Sequence, residues 1–168
     1  MKFLVDENLQ RLGSWLRAAG YDTLIESDGR PDYELLKQAL EEERLLITRD
    51  RKLTEHRRAP GTVILLDCEN LEDCIAALCR QLPINWLHEP FVRCLVCNTR
   101  LVHARLEQLQ DLPTRLRNSI DRAYYCPGCK KVYWDGSHVR RMRTRLNDWQ
   151  QRFGQQTVSD IASPQPSV

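Results

Sequence analysis

The sequence contains no apolar run long enough to cross a bilayer, and so nothing in it predicts a membrane-spanning helix. Its first apolar run, residues 3–5, meets the charged pair Asp6 and Glu7, so the start of the chain does not resemble a signal peptide. The first predicted strand lacks the D-x-D motif of aspartyl phosphatases, and no lysine follows a later strand as in a receiver domain. We interpret Cys68, Cys74 and Cys79 as reduced core thiols and expect a cytoplasmic protein without membrane contact.

A strong overall charge is also absent, because 25 Lys and Arg nearly balance 23 Asp and Glu. Residues 1–90 contain 12 basic and 17 acidic side chains, whereas residues 91–168 contain 13 basic and 6 acidic ones. Such a division suits a protein that binds metal cations in one part and polyanions in another, although solvated surfaces of different charge are the simpler alternative. We predict an α/β domain over residues 1–88, a basic module over 89–152 and a disordered, Gln-, Ser- and Pro-rich tail over 153–168.

Four of the seven cysteines form two C-x-x-C pairs, Cys94 with Cys97 and Cys126 with Cys129. Zn²⁺ binds four thiolates in a tetrahedron, and one tight C-x-x-C turn supplies two of them. A redox-active C-x-x-C motif is the alternative, but two pairs in one short segment favour structural zinc. Because four protein ligands leave no open position, we expect the metal to stabilise a small zinc ribbon. The long spacer predicts an insertion of two short helices interrupted at Pro113.

Short apolar runs alternate with helical patterns in the acidic part of the chain. The apolar runs at residues 3–5, 21–25, 45–48 and 63–66 predict four strands. Leucine and alanine recur at helical spacing over residues 9–19, 35–40 and 71–82. Strands that alternate with helices predict an α/β fold with a parallel sheet covered by helices on both sides.

Acidic residues follow several of the predicted strands. Asp6, Asp50 and Asp67 come at or just after the end of a strand, and Asp32 lies in the first turn of a predicted helix. The carboxyl ends of parallel strands meet at one edge of a sheet, so we expect these carboxylates to lie close together and to bind Mg²⁺ or Mn²⁺. Each also has a structural alternative, such as a helix cap for Asp50 or a loop residue for Asp6, and Asp67 is the weakest metal ligand of the set.

Five segments of the chain resemble the PIN-like ribonucleases of the Mut-seven C-terminal domain family. They are FLVDENL at residues 3–9, RAAGYDT at 17–23, DYELL at 32–36, LLITRD at 45–50 and VYWDGSH at 132–138. The resemblance extends to about residue 150 and implies a PIN-like α/β domain followed by a zinc ribbon. It also implies metal-dependent hydrolysis of RNA phosphodiester bonds, with structural Zn²⁺ and catalytic Mg²⁺ or Mn²⁺.

On this resemblance, Asp6, Asp32 and Asp50 match the acidic positions of the site, and Thr48 supports Asp50 through its hydroxyl. The identity of a fourth acid stays open, with Asp67 and Asp28 as the candidates. No side-chain nucleophile is required, because the metal activates a water. A non-catalytic RNA-binding or adaptor protein on a nuclease-like scaffold is the second hypothesis.

Basic side chains and aromatic rings alternate after the second cysteine pair. Cations neutralise phosphates and flat rings stack on bases, so this combination favours single-stranded or structured RNA as the partner. The alternative is that the rings of Tyr133 and Trp134 only build the core of the ribbon. The candidate nucleic-acid-binding residues are Arg49, Arg51, Lys130, Lys131, Trp134, His138, Arg140 and Arg141.

Overall fold

The computed structural model describes residues 1–110, 112–117, 120 and 122–154. Its first part contains the strands β1 (Lys2–Val5), β2 (Asp22–Ile25), β3 (Leu45–Thr48) and β4 (Val63–Leu65). The helices α1 (Gln10–Ala18), α2 (Asp32–Glu41) and α3 (Leu71–Gln81) lie between and after them, with short 3₁₀ helices at Glu7–Leu9 and Arg51–Glu55. The predicted alternation of strands and helices is confirmed.

The four strands form one parallel sheet in the order β2-β1-β3-β4. Side chains alternate between its two faces, as the pleat of a strand requires. Phe3, Val5 and Ile47 belong to a core with residues of α1 and α3. Leu4 and Leu46 belong to a second core with residues of α2. Helices therefore cover both faces, and the order of strands leaves β1 and β3 side by side in the middle of the sheet.

The second part of the chain contains a small antiparallel sheet and one long helix. The sheet has the order β5-β6-β7, formed by Val102–His103, Ala123–Tyr125 and Val132–Trp134. A 3₁₀ helix at Leu106–Leu109 and the short helix α4 (Thr114–Arg117) lie between β5 and β6, so the predicted helical insertion is present. Helix α5 (Ser137–Phe153) follows β7. Of the tail predicted as disordered over residues 153–168, Phe153 instead ends α5 and Gly154 follows it, and residues 155–168 lie outside the described residues.

Helix α5 packs into the core of the first part. Leu146 and Trp149 are fully buried together with Trp86 and residues of α1 and α3. The Trp149 ring lies edge-on to Trp15, with 4.7 Å between ring centroids. Its indole N–H donates to Glu72 of α3 at 3.0 Å, and Glu72 also pairs with Arg145 and Arg152 of α5. One hydrophobic core therefore joins the two parts of the chain.

Two of the three cysteines outside the C-x-x-C pairs are not reduced. Cys68 and Cys74 form a disulfide, which corrects the expectation that all three are free thiols. The two residues lie on either side of the turn that leads into α3, so their side chains meet although six positions separate them. Cys79 is a buried free thiol, as predicted, and accepts a hydrogen bond from the Trp86 indole at 3.4 Å. No helix in the described parts of the chain has the length and apolar character needed to span a bilayer.

Candidate functional site

Three polar residues are joined by hydrogen bonds where the two central strands end. Asp6 follows β1, and its backbone N–H donates to the Ile47 carbonyl of β3 at 3.0 Å. The Thr48 hydroxyl, fully buried at the end of β3, donates to Asp6 Oδ2 at 2.8 Å. The same hydroxyl oxygen accepts from the Asp50 backbone N–H at 2.9 Å. Thr48 therefore fixes the Asp6 carboxylate and the Asp50 backbone relative to one another.

Asp6 and Asp50 each cap a short helix as well. Asp6 Oδ1 accepts from the Glu7 N–H at 2.7 Å, and Asp50 Oδ1 accepts from the Lys52 N–H at 2.8 Å. Both residues therefore have the structural role of a helix cap, which is the alternative to metal binding for Asp50. These caps do not exclude metal binding, because a carboxylate has two oxygens and about four lone pairs. The caps hold the carboxylates in fixed orientations and leave acceptor sites free.

Asp32 and Asp67 lie at the same edge of the sheet but outside this hydrogen-bonded group. Asp32 is the first residue of α2, which runs back over the sheet from its carboxyl edge, and its side chain is half-buried. Asp67 is exposed two residues beyond β4, the outer strand next to β3. The structure thus brings Asp6, Thr48 and Asp50 together and leaves Asp32 and Asp67 outside their hydrogen-bonded group.

Glu26 is a fifth acid at this edge, and the sequence analysis missed it. It directly follows β2, is 2 % exposed, and its backbone N–H donates to the Val5 carbonyl at 2.8 Å. Its carboxylate accepts from Arg30 Nε at 2.6 Å and from the Asp28 N–H at 2.7 Å. Burial alone raises the pKa of Glu26, but these hydrogen bonds outweigh it and hold the pKa below its usual value. The rule that found Asp6, an acid directly after a strand, also applies to Glu26.

The carboxylates fit an open cation site better than a closed one. Among the residues that the structure describes, the four cysteines are the one group of three or more His, Cys, Asp or Glu residues that could hold a metal ion, with ligand atoms all within 4.8 Å of one another. Mg²⁺ commonly binds through one or two carboxylates and takes its remaining ligands from water and substrate phosphates. Asp6 and Asp50, held together by Thr48, fit that mode.

The four cysteines form a compact cluster that could hold a zinc ion. The Sγ atoms of Cys94 and Cys129 are 3.5 Å apart, and those of Cys97 and Cys126 are 3.3 Å apart. A tetrahedral zinc site with bonds of about 2.3 Å has sulfur atoms about 3.8 Å apart. Small movements of the side chains therefore convert the cluster into a zinc tetrahedron.

The two C-x-x-C turns have the same backbone hydrogen bonds. The N–H of the second cysteine lies near the sulfur of the first, at 3.5 Å for Cys97 and 3.4 Å for Cys129. The N–H of the next residue, Asn98 or Lys130, donates to the carbonyl of the first cysteine at 2.9 Å. Asn98 and Lys130 both have positive φ, at 68° and 65°. This repetition matches the predicted ribbon, in which each turn supplies two ligands to one ion.

The crowded thiols also favour a bound cation. Burial raises the pKa of Cys126 to about 12. At Cys97 burial acts in the same direction, but hydrogen bonds with Thr99 and the other cysteines outweigh it and lower the pKa to about 6. If all four cysteines were ionised, the thiolates would repel one another; a divalent cation removes that repulsion and is bound with release of the remaining protons.

Comparison with known proteins gives one decisive match. A family model described as Mut7-C RNAse domain matches residues 1–146, which include the strand ends with Asp6, Thr48 and Asp50 and all four clustered cysteines. The chain belongs to the Mut7-C RNAse domain family. Searches of curated proteins and of solved structures find no match to this Mut7-C chain. The family suggests a nuclease-like role, and hence contact with RNA.

The basic candidates of this Mut7-C protein lie in two places. Arg49 and Arg51 are exposed beside the acidic group, and Arg49 also lines a cavity of about 290 Å³ with Glu7, Asn8 and Asn70. The second set lies on the ribbon and α5, where the cations are exposed and Trp134 is half-buried. Its members are Lys130, Lys131, Trp134, His138, Arg140 and Arg141.

Proposed function

We propose that this protein is a metal-dependent ribonuclease that hydrolyses RNA phosphodiester bonds at the carboxyl edge of its parallel sheet. The observation that carries the proposal is the group formed by Asp6, Thr48 and Asp50, in which one buried hydroxyl bonds to a carboxylate and to the backbone of the next acid. The match to the Mut7-C RNAse domain supports RNA as the substrate.

In this proposal Asp6 and Asp50 hold the cation, and Thr48 keeps the Asp6 carboxylate oriented. Asp32 is the first residue of α2, which follows β2 in the chain, and it lies at the same edge of the sheet. A bound Mg²⁺ or Mn²⁺ supplies an activated water and stabilises charge on the phosphate. Arg49 and Arg51 are exposed next to this edge, where they contact neighbouring phosphates of the strand.

The cysteine cluster has a structural role in the proposal. Four thiolate ligands from Cys94, Cys97, Cys126 and Cys129 leave no position for a substrate on the zinc ion. The zinc ribbon and α5 then present their exposed cations to the RNA. Cytoplasmic localisation is part of the same proposal and rests on the sequence; the Cys68–Cys74 disulfide removes the reduced core thiols from its support.

The test is cleavage of a labelled single-stranded RNA with and without added Mn²⁺. We expect Asp6→Asn and Asp50→Asn to lower the Mn²⁺-stimulated rate by roughly 100-fold or more, because loss of outer partners of a metal ligand alone costs about 10–100-fold. Asp73→Asn is the matched control, since Asp73 is an exposed acid at the start of α3. Its rate should equal that of the wild type.

The competing function is RNA binding without catalysis. The helix caps formed by Asp6 and Asp50 favour it, because they give both acids a structural purpose. Equal cleavage by the wild type and both Asn variants would indicate a contaminating nuclease. RNA binding without any Mn²⁺-stimulated cleavage would replace the ribonuclease proposal by this second function.

A further inference from the structure

A cavity of about 110 Å³ lies between the second sheet and α5. On a scale where one water requires roughly 10–15 Å³, it has room for a flat ring system. A second cavity of about 280 Å³ shares the walls Tyr133, Trp134, His138 and Val139 with it. The first cavity is lined mainly by apolar and aromatic side chains, among them Phe91, Leu101, Tyr124, Tyr133, Trp134 and Met142.

Trp134 is placed to offer its ring to a ligand. Its side chain is half-buried, and no described residue accepts a hydrogen bond from its indole N–H. By contrast, the indoles of Trp86 and Trp149 donate to Cys79 and Glu72. A Cβ atom at Gly136 would lie 3.0 Å from the Trp134 indole nitrogen, so this glycine lets the backbone pass close to the ring edge. Since no buried side-chain nitrogen or oxygen among the described residues lacks a partner, this N–H is open to solvent, and a ligand in the cavity can accept a hydrogen bond from it.

Phe91 also lines the cavity, and its backbone is in a strained conformation. Its φ is 63°, which is rare for a bulky residue. The conformation is held by its N–H, which donates to the Ala18 carbonyl at 2.8 Å. The Arg143 guanidinium lies 5.0 Å from the centre of the Phe91 ring. Strained residues of this kind cluster at ligand sites, because the surrounding structure must hold them there.

The charges around the cavity indicate the kind of ligand. Arg143 lines it, and Arg140 and Arg141 are exposed on the same first half of α5, whereas the lining Arg93 is already bonded to the Gly20 and Asn98 carbonyls. Asp135 also lines the cavity; it is exposed, the Arg140 guanidinium donates to its backbone carbonyl at 3.1 Å, and none of the salt bridges among the described residues includes its carboxylate. Arginines suit the phosphates of a nucleic acid, whereas a lone carboxylate accepts hydrogen bonds from an amino group.

We propose that this cavity binds one unpaired nucleobase of the RNA, stacked on Trp134, with Asp135 accepting a hydrogen bond from the amino group of the base. The inference rests on the proposed function for the choice of RNA as ligand. It adds a base preference: adenine, cytosine and guanine present an amino group to the carboxylate, whereas uracil presents only its N3–H between two carbonyl oxygens that repel the carboxylate, and therefore binds least. The arginines contact the flanking phosphates and carry no base preference.

The experiment measures binding of short single-stranded RNAs to the full chain carrying Asp6→Asn, without Mn²⁺, so that cleavage cannot contribute. One position in an adenine-rich strand is replaced in turn by each other base and by an abasic sugar. We expect Trp134→Ala to weaken binding by roughly five- to 150-fold, the range of base stacking on an aromatic ring, and to abolish the difference between adenine and the abasic site. Trp134→Phe should retain most of the affinity.

Two controls separate this site from general charge attraction. Arg141→Gln should reduce the salt dependence of binding without changing the base preference, whereas Trp134→Ala should leave the salt dependence unchanged. His88→Ala removes an exposed ring that stacks on Tyr21, away from the cavity, and should have no effect. Asp135→Asn should make the affinity for the uracil-containing strand similar to the affinity for strands with the other bases. If the Trp134→Ala protein loses its zinc, the inference is tested by the other two variants instead. Trp134→Phe should then keep most of the affinity, and Asp135→Asn should remove the discrimination against uracil.

Equal affinity for the abasic strand and for all four bases would overturn the inference while leaving a cleaving wild-type enzyme intact. Base-dependent binding by a protein that never cleaves RNA would support the inference and reject the ribonuclease proposal. Binding of peptides but no RNA would reject both.

Discussion

At the scale of single residues, the candidate site depends on the buried hydroxyl of Thr48. One oxygen atom donates to the Asp6 carboxylate and accepts from the Asp50 backbone. A side chain of the same shape without the hydroxyl leaves a buried acceptor and a donor unpaired at once. Such losses cost about 1–3 kcal/mol for each unsatisfied group.

Thr48→Val tests this role. We expect the free energy of unfolding to fall by about 1–3 kcal/mol and the Mn²⁺-stimulated rate to fall roughly 10–100-fold, because the Asp6 carboxylate loses its orientation. Urea unfolding and the RNA cleavage assay measure the two effects. Thr54→Val is the control, since the exposed Thr54 hydroxyl bonds only to the Arg51 carbonyl of its own turn. Equal cleavage by both variants would contradict a positioning role for Thr48.

Glu26 gives the same edge a dependence on pH. Its pKa in the folded protein lies below the ordinary value because Arg30 and the Asp28 N–H bind the charged form, against the effect of burial. The carboxylate therefore contributes stability above the pKa of an unfolded glutamate, about 4.3, and this contribution is lost as the pH falls through the lower folded pKa.

We accordingly expect Glu26→Gln to be less stable than the wild type at pH 7 and the difference to shrink below about pH 4. Urea unfolding of the two proteins between pH 7 and pH 3 measures it, and taking the difference removes effects of acid on the thiols. Glu41→Gln, on the exposed side of α2, is the control. A difference that stays constant with pH would show that the stability does not come from the charge of Glu26.

At the scale of elements, the first C-x-x-C turn is attached to the α/β part as well as to the second turn. Arg17 of α1 is buried and donates to the carbonyls of Thr23, Leu95 and Val96. The Asn98 side chain donates to Asp22 Oδ1 at 2.8 Å and accepts from the Thr23 N–H at 3.1 Å. The turn that supplies two cysteines is thus bonded along β2.

Cys97→Ser should lower the zinc content and destabilise the ribbon, and the effect should reach β2 through Arg17 and Asn98. Elemental analysis measures the metal, and hydrogen exchange measures the local stability of residues 22–25 and 94–99. Cys79→Ser is the control, because this thiol lies in the hydrophobic core outside the cluster. A wild-type protein without zinc would contradict the structural role of the cluster.

At the scale of the whole molecule, α5 joins the acidic first part and the basic second part of the chain through one hydrophobic core. Its apolar side chains Met142, Leu146 and Trp149 complete the core that α1 and α3 begin. Glu72 binds two arginines and the Trp149 indole at the rim of this contact. The exposed cations of the ribbon and α5 are therefore held in place relative to the edge of the parallel sheet that carries Asp6 and Asp50.

Trp149→Ala should destabilise the entire protein by about 3–5 kcal/mol, because it empties a fully buried site shared by both parts. Chemical denaturation followed by circular dichroism and by zinc release should then show one transition that moves to lower denaturant in both signals. Thr144→Ala, exposed on the same helix, should leave the transition in place. Two separate transitions would contradict a common core and would agree with independent domains divided at residue 88.

The sequence by itself determined the features that depend on neighbouring residues. The C-x-x-C pairs predicted the cysteine cluster, because each turn is formed by consecutive residues. Apolar periodicity predicted the parallel sheet and its helices, and the order of strands and acids predicted that Asp6 and Asp50 meet at one edge. These patterns are local, and the rules of α/β folds convert them into a topology.

Only the tertiary structure decided which side chains meet. The bond from Thr48 to Asp6, the burial of Glu26 on Arg30, the Cys68–Cys74 disulfide and the packing of Trp149 against Trp15 depend on side-chain positions in the folded chain. Period and spacing indicate which face of an element is buried but not which partner covers it, since many apolar partners satisfy the same pattern. For that reason the sequence predicted the edge of the sheet that carries the acids, and the fold selected which of them are held together.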